Sequence, residues 1–256
     1  MSGLVHLILD PPQSGVWNMA VDAALLDECL NRNAIFLRLY RWSEATVSLG
    51  HFQDESAQQR DPRLARLPTV RRLSGGGAIL HHHEQTYSCC LPPSHPFAQQ
   101  PSQLYERIHS VFVEWLLEFG VEVAARGHDS NRTDEPFLCF LREAAPDLVV
   151  NRHKVLGSAQ RRRRGAVLQH GSLLLRASEH APELVGLSEL ALQFSDSSAT
   201  TLVLAERLAR CLGAEVVRID VPASVWARAM LLVKSAVSTD GTFAQAPEFS
   251  VLPEVT

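Results

Sequence analysis

Apolar positions recur at helical spacing in four places along the chain and at strand spacing in most of the rest. Residues 16–30 carry Val16, Met19, Ala20, Ala23, Leu26 and Leu30 on one stripe, with Asp22, Asp27 and Glu28 expected mostly on the opposite, polar side. A second stripe, Leu104, Ile108, Val111, Phe112, Trp115 and Phe119, follows Pro101-Ser102 and stops at Gly120, a start and stop that suit a helix. Two more helices are predicted over about 199–212, ended by Gly213, and about 223–237. Between them lie short β-rich runs: 4–9, 35–42, 45–50, 69–73, 85–91, 148–150, 154–160, 165–175 and 215–219. The runs at 35–42 and 45–50 are expected to be neighbouring strands, and 148–175 to form a meander turning at Arg161-Arg162-Arg163-Arg164. The charged stretch 127–135 reads as a mobile loop and the end from Thr239 as frayed.

Strands in adjacent pairs and threes with helices interspersed predict an α+β fold, a mixed β-sheet flanked by helices in a single domain. Residues 1–195 are expected to form the catalytic domain, and 196–256 a helix-strand-helix extension packed on it with no full accessory domain. At 256 residues the chain can bury a sizeable core without staples. A net charge of -4 gives no global electrostatic reason to bind nucleic acid or an anionic membrane. The start of the chain has no basic leader before a short apolar run, so a cytoplasmic protein is expected. Five cysteines without framework spacing indicate reduced thiols.

One stretch stands out from this background. In Val70-Arg71-Arg72-Leu73-Ser74-Gly75-Gly76-Gly77-Ala78-Ile79-Leu80-His81, three glycines separate two β-type runs and are bracketed by cations. A backbone free of side chains there can take positive φ and lie against a ligand with a polar or carbonyl head, although a plain glycine hairpin would read the same way. There is no Walker loop and no dinucleotide fingerprint. Only Lys154 and Lys234 are lysines among 24 basic side chains, which singles out Lys154, on a strand with small residues after it, as a candidate partner for a carbonyl or phosphate. Cys139, in Phe137-Leu138-Cys139-Phe140, reads either as a core thiol or, with a cation nearby, as a nucleophile.

The remaining candidates are weaker. Cys89 and Cys90 alternate across a strand and are expected to be one core, one surface, while Cys29 and Cys211 are expected to pack in helices. The run His81-His82-His83 is not expected to hold a metal, because consecutive strand residues point to opposite faces. Gln169-His170-Gly171-Ser172 does not match a nucleophile elbow. The arginine run at 161–164 is expected to be a solvated hairpin tip, or else to steer an acidic protein partner.

Five ordered motifs then combine: Asn18-Met19-Ala20-Val21-Asp22, Ala45 to Gln53, Arg71 to His81, Lys154-Val155-Leu156-Gly157-Ser158-Ala159-Gln160, and Gln169 to Leu175. Together they closely resemble the lipoate-protein ligase and octanoyltransferase family, a branch of the biotin/lipoyl attachment superfamily. The resemblance implies that the glycine loop lines an acyl pocket and that Lys154 meets the acyl carbonyl or acyl-phosphate. It implies substrate-binding roles for Arg71, Arg72, Ser74, Gly75, Gly76, Gly77, His81, Gly157, Ser158, Ala159, His170 and Gly171, and catalytic roles for Cys139 and Lys154, with no metal. The Cys-Phe segment at 139–140 and Glu84-Gln85-Thr86-Tyr87-Ser88 resemble the octanoyltransferase class that works through a cysteine thioester. The implied reaction moves octanoyl from acyl carrier protein to a lysine of lipoyl domains or of glycine-cleavage H protein, in a monomer that needs no cofactor. Gly77 stands where that class often has arginine, and His82 where aspartate is common. A ligase using ATP and Mg, a lipoyl amidotransferase, or an inactive acyl or carrier binder are therefore the alternatives.

Overall fold

The first helix shows how the chain sets its layers. Ser14 caps it, its side chain accepting from the Trp17 amide, and Asn33 ends it in the left-handed region at φ 52°. Strand β1 (Leu4–Leu9), this helix α1 (Gly15–Arg32) and β2 (Ile35–Tyr40) form a βαβ unit, with β1 and β2 parallel from Val5↔Ile35 to Leu9↔Leu39. The computed structural model describes residues 3–54, 56–59, 61–125, 137–141 and 146–237. The predicted loop at 127–135 and the predicted frayed end from Thr239 lie outside these.

After β2 come β3 (Thr46–Leu49), α2 (Ser56–Gln59), β4 (Thr69–Arg71), β5 (Ile79–His81) and β6 (Glu84–Leu91). Next are α3 (Pro96–Gln99), α4 (Pro101–Leu117), β7 (Ala124–Ala125), a 3-10 turn at Cys139–Leu141, and the strands β8 (Leu148–Val150), β9 (His153–Arg163) and β10 (Ala166–Leu174). The described chain ends with α5 (Leu187–Leu190), α6 (Ser198–Leu212), β11 (Glu215–Arg218) and α7 (Ala223–Val237). Eight strands make one mixed sheet in the order β11-β1-β2-β6-β10-β9-β8-β7, and β4-β3-β5 make a small second sheet. The expected α+β mixed sheet flanked by helices is the observed architecture.

Period-two alternation divides the main sheet between two cores. Leu37, Leu39 and Cys89 join the side chains of α4 and α6, whereas Phe36, Cys90 and Leu168 join those of α1 and α7. Both Cys89 and Cys90 are therefore buried, not one core and one surface, because β6 is central and covered on both faces. Burial pushes the Cys29 and Cys211 thiols up to about 12 and those of Cys89 and Cys90 well above the ordinary range.

Three other expectations need correcting. Runs 35–42 and 45–50 are not neighbours: β1 and β6 take both edges of β2, so the chain turns after Trp42 and β3 starts the small sheet. Asp22 is 2% exposed and faces inward, held by Arg38, where helical spacing alone placed it on the polar side. The hairpin tip is Arg164-Gly165, at φ 47° and 82°, so β9 runs on through Arg163. Arg162 donates to the Ala98 carbonyl and Arg163 pairs with Asp27 at 2.5 Å, so these two arginines serve the fold.

Candidate active site

The glycine loop owes its shape to Arg72. Its guanidinium donates to the carbonyls of Ser48 (2.9 Å), Gly75 (2.8 Å) and Gly77 (2.7 Å), gathering the loop around a buried cation. Gly76 sits at φ +92°. A Cβ on Gly50 would fall 2.0 Å from the Gly76 carbonyl oxygen, so the turn after β3 lies directly against the loop. Arg71 holds that turn from the other side, donating to the carbonyls of Gly50 (3.0 Å) and Gln53 (2.7 Å). Gly50→Ala is expected to push the glycine loop outward and to lower activity by tenfold or more. The check is turnover with the melting temperature measured alongside, since the two cores are untouched.

Beneath the loop lies a cavity of about 170 Å³. Of the residues read from the sequence as site candidates, Arg72, Gly75, Gly76, His81, Cys139, Lys154, Gly157, Ser158, Ala159, His170 and Gly171 line it. Arg71, Ser74 and Gly77 do not. Ser74 acts one step back, its hydroxyl 2.5 Å from His170 Nε2. The apolar wall includes Met19, Trp42, Ile79 and Phe140. Trp42 stacks on the His81 ring at 3.7 Å and donates through Nε1 to Thr86 Oγ1. His81 is tied to Glu84 through Nδ1 and lies 2.7 Å through Nε2 from Ser48 Oγ. Burial pushes its pKa below the ordinary imidazole value despite the carboxylate.

At the edge of this cavity the 3-10 turn brings Cys139 to β9. Its Sγ is 3.8 Å from Lys154 Nζ, which also donates to the Cys139 carbonyl at 3.3 Å. The turn is pinned to the small sheet, where Ala78 N donates to the Phe137 carbonyl and Cys139 N to that of Ala78. Of the five cysteines Cys139 alone is not buried. Lys154 is buried and paired at 2.8 Å with Asp147, itself buried. Such a partner offsets much of the cost of withdrawing a charged lysine from water. Gly157 leaves the room: a Cβ there would meet Lys154 Cε at 2.7 Å.

A model of the lipoyl protein ligase A/B catalytic domain matches residues 14–190, a span that contains every residue lining the cavity. The chain belongs to the lipoyl protein ligase A/B catalytic-domain family. Within it, the chain is 34% identical over 176 residues to Octanoyltransferase LipM of Clostridioides difficile, covering 66% of this chain and 65% of that one. It is 36% identical over 169 residues to Octanoyltransferase LipM of Oceanobacillus iheyensis, covering 64% and 61%. The match thus spans under two thirds of these relatives' length. Among solved structures, the T. acidophilum protein Ta0514 with bound lipoic acid superposes with a TM-score of 0.70 at 18% identity, over 94% of this chain and 98% of that one. A lipoate-protein ligase A bound with ATP gives a TM-score of 0.66 at 18% identity, over 94% and 97%. At that identity the likeness speaks to the fold.

Reading the sequence missed Asp147, Trp42 and Thr86 as parts of the site. Thr86 had a signal: Glu84, Thr86 and Ser88 are polar at period two on a strand otherwise read as apolar. Asp147 had none, as a single acid before a strand reads as a turn residue. The histidine run also differs from expectation. His82 and His83 lie in the turn between β5 and β6, not on opposite faces of a strand, and with Glu179 they form the only group of potential metal ligands among the described residues. Their rings stack at 3.6 Å with planes 24° apart, and one ligand atom from each of the three side chains lies within 4.8 Å of the others. Arg176 Nη2 stands 3.0 Å from His83 Nε2.

Proposed function

We propose that this chain transfers an octanoyl group from the thioester of an acyl carrier protein to a lysine of a lipoyl domain or glycine-cleavage H protein, by way of a thioester on Cys139. The observation that carries the reading is the 3.8 Å approach of Cys139 Sγ to Lys154 Nζ at the edge of an apolar-walled cavity in the one unburied thiol of the chain. The names of the octanoyltransferase relatives support it.

The first step is thioester exchange. The Cys139 sulfur adds to the octanoyl carbonyl, the carrier thiolate leaves and takes up the cysteine proton, and the acyl chain rests against Trp42 and Phe140. In the second step the neutral lysine amine of the acceptor adds to the same carbonyl. A C–N bond forms, the C–S bond breaks, and the amine proton ends on the released Cys139 thiol. The Lys154 ammonium is placed to stabilise negative charge on sulfur or on the tetrahedral oxygen. Asp147 holds it in position while offsetting part of its field. Thioester in and amide out runs downhill, so neither step requires ATP or a cofactor.

The test is incubation with octanoyl carrier protein in the absence of ATP. A hydroxylamine-labile mass increase on Cys139, discharged on adding a lipoyl domain, is the expected result. Acylation only with free octanoate, ATP and Mg, through an adenylate, would replace this reading with the ligase.

A further inference from the structure

A second set of polar side chains reaches the cavity from the α4 side of the sheet, and none belongs to the cysteine-lysine pair. His109, on α4 and 5% exposed, has Nδ1 at 2.5 Å from the Pro146 carbonyl and Nε2 at 2.8 Å from Ser158 Oγ. Ser158 Oγ is also 2.8 Å from Tyr87 OH. Gln169 Nε2 donates to that phenol oxygen at 2.7 Å, and Gln160 Nε2 donates to Gln169 Oε1 at 2.6 Å and to the Pro101 carbonyl at 2.8 Å.

The two carbonyls at the ends fix every proton between them. A carbonyl only accepts, so Gln160 turns its amide nitrogen to Pro101, Gln169 must accept from Gln160 and donate to Tyr87, and the phenol proton has only Ser158 to go to. At the other end Pro146 makes His109 a donor through Nδ1. Burial and the nearby Lys154 charge hold the His109 pKa down at about 4, so the ring is neutral and Nε2 is an acceptor. The Ser158 proton therefore goes to His109. One lone pair of Ser158 then remains, on an oxygen that lines the cavity. Gly171 keeps the space beside it clear, since a Cβ there would fall 2.4 Å from Oγ.

We propose that His109 is a positioning residue that makes Ser158 a pure hydrogen-bond acceptor toward the cavity, where it receives an N–H of the attacking lysine amine and aims the nitrogen lone pair at the acyl carbonyl. The inference rests on the amide-forming reaction proposed above. It adds a division of labour: Cys139 and Lys154 serve both steps, whereas His109 and Ser158 serve the second. In the first step the attacking group is the Cys139 sulfur beside Lys154, and the incoming acyl thioester brings no N–H for Ser158 to receive at its reacting carbonyl. The same histidine fixes the Pro146 carbonyl, one residue before the Asp147 that holds Lys154, so α4 is tied to both sides of the site.

Two measurements test this. The first is the rate of Cys139 loading from octanoyl carrier against the single-turnover rate of transfer to a lipoyl domain, in wild type, His109→Phe, His109→Gln and Ser158→Ala. His109→Phe leaves Ser158 free to turn its proton into the cavity, and the ratio of transfer to loading is expected to fall by about tenfold or more, as in Ser158→Ala. Glutamine can accept from Ser158 through Oε1, so His109→Gln is expected to recover most of the ratio. Equal losses in both half-reactions, or a glutamine variant no better than phenylalanine, would overturn the proposal. Ser158→Ala decides alone if His109→Phe does not fold. The second is the nitrogen spectrum of the 15N-histidine-labelled protein at neutral pH, with the His109 signals assigned from their loss in His109→Gln. The expected state is neutral with the proton on Nδ1, and an Nε2-protonated ring or an imidazolium would overturn the proposal. The spectrum needs no substrate. A wild-type protein that never acylates Cys139 defeats the proposed function, whereas one that does but shows no such ratio defeats only this inference.

Discussion

Cys139→Ser is expected to lower octanoyl transfer by about a thousandfold or more while leaving the fold intact. A hydroxyl is a far weaker nucleophile than a thiol at neutral pH, and an ester on serine would discharge to an amine more slowly than a thioester. The side chain is half-buried on a one-turn 3-10 segment and its sulfur contacts Lys154 at 3.8 Å, and serine is close to it in size. The stability cost is then expected within about 1 kcal/mol. Lys154→Ala is a different experiment. It removes the cation that pairs with the buried Asp147 carboxylate, a loss of about 3–5 kcal/mol for a broken buried pair. Its activity loss therefore mixes chemistry with unfolding, and Lys154→Ala with Asp147→Asn should recover stability without recovering turnover. Melting temperature and single-turnover acylation read the two effects separately. Wild-type-like transfer by Cys139→Ser would refute the thioester.

The pattern of the chain carried most of the framework. Helices α1, α4, α6 and α7 lie within one or two residues of their predicted spans, because their apolar stripes and caps are local. The meander β8-β9-β10 is local too. What the pattern could not carry is pairing between distant strands. That β2 lies between β1 and β6, while β3 departs to a second sheet, is settled by edges contributed from elsewhere in the chain. The same limit applies in the site. Lys154 was conspicuous as one of two lysines, and Cys139 as the thiol beside it in the family pattern, but the acid that pairs with Lys154 and the histidine that faces Ser158 look like ordinary turn and helix residues. His109 sits next to the apolar stripe of α4, where spacing predicts only burial, and its partners are 37 and 49 residues away. Arg71 and Arg72 show the opposite gap: read as ligand-binding cations, both also donate to backbone carbonyls of the loops they shape, and Arg72 lines the cavity as well.

The largest stability effect is expected one layer behind the cavity, at Arg38. This side chain is 0% exposed on β2, and its guanidinium reaches Asp10 Oδ2 (2.6 Å), Asp22 Oδ1 (3.1 Å) and Asn18 Oδ1 (2.7 Å) while lying 3.9 Å over the Tyr40 ring. Asn18 and Asp22 are one turn apart on α1, so the motif Asn18 to Asp22 is the half of this cluster that a sequence displays. Arg38→Met leaves two inward carboxylates with no cation and is expected to cost about 3–5 kcal/mol, a large part of the total stability of a domain. The urea midpoint should fall accordingly. Its pH dependence gives a sharper check. Burial alone would raise the Asp22 pKa, but the His170 contact, the Arg38 charge and the Ser88 hydrogen bond outweigh it and hold the carboxyl below 3.8. A folded-state pKa below the unfolded one stabilises the protein above the unfolded value, and that stability is lost as pH falls through the folded value. Without Arg38 the main opposing charge is gone, so the variant is expected to lose less on acidification. The gap between wild type and Arg38→Met should therefore narrow as pH falls below about 4, and a gap that stays constant would show that Asp22 does not depend on Arg38. Because Tyr40 and His170 both contact Asp22 and both line the cavity, a folded but weakened Arg38→Met should also show slower transfer. The buried charge cluster thus sets the back wall of the cavity as well as the seat of α1.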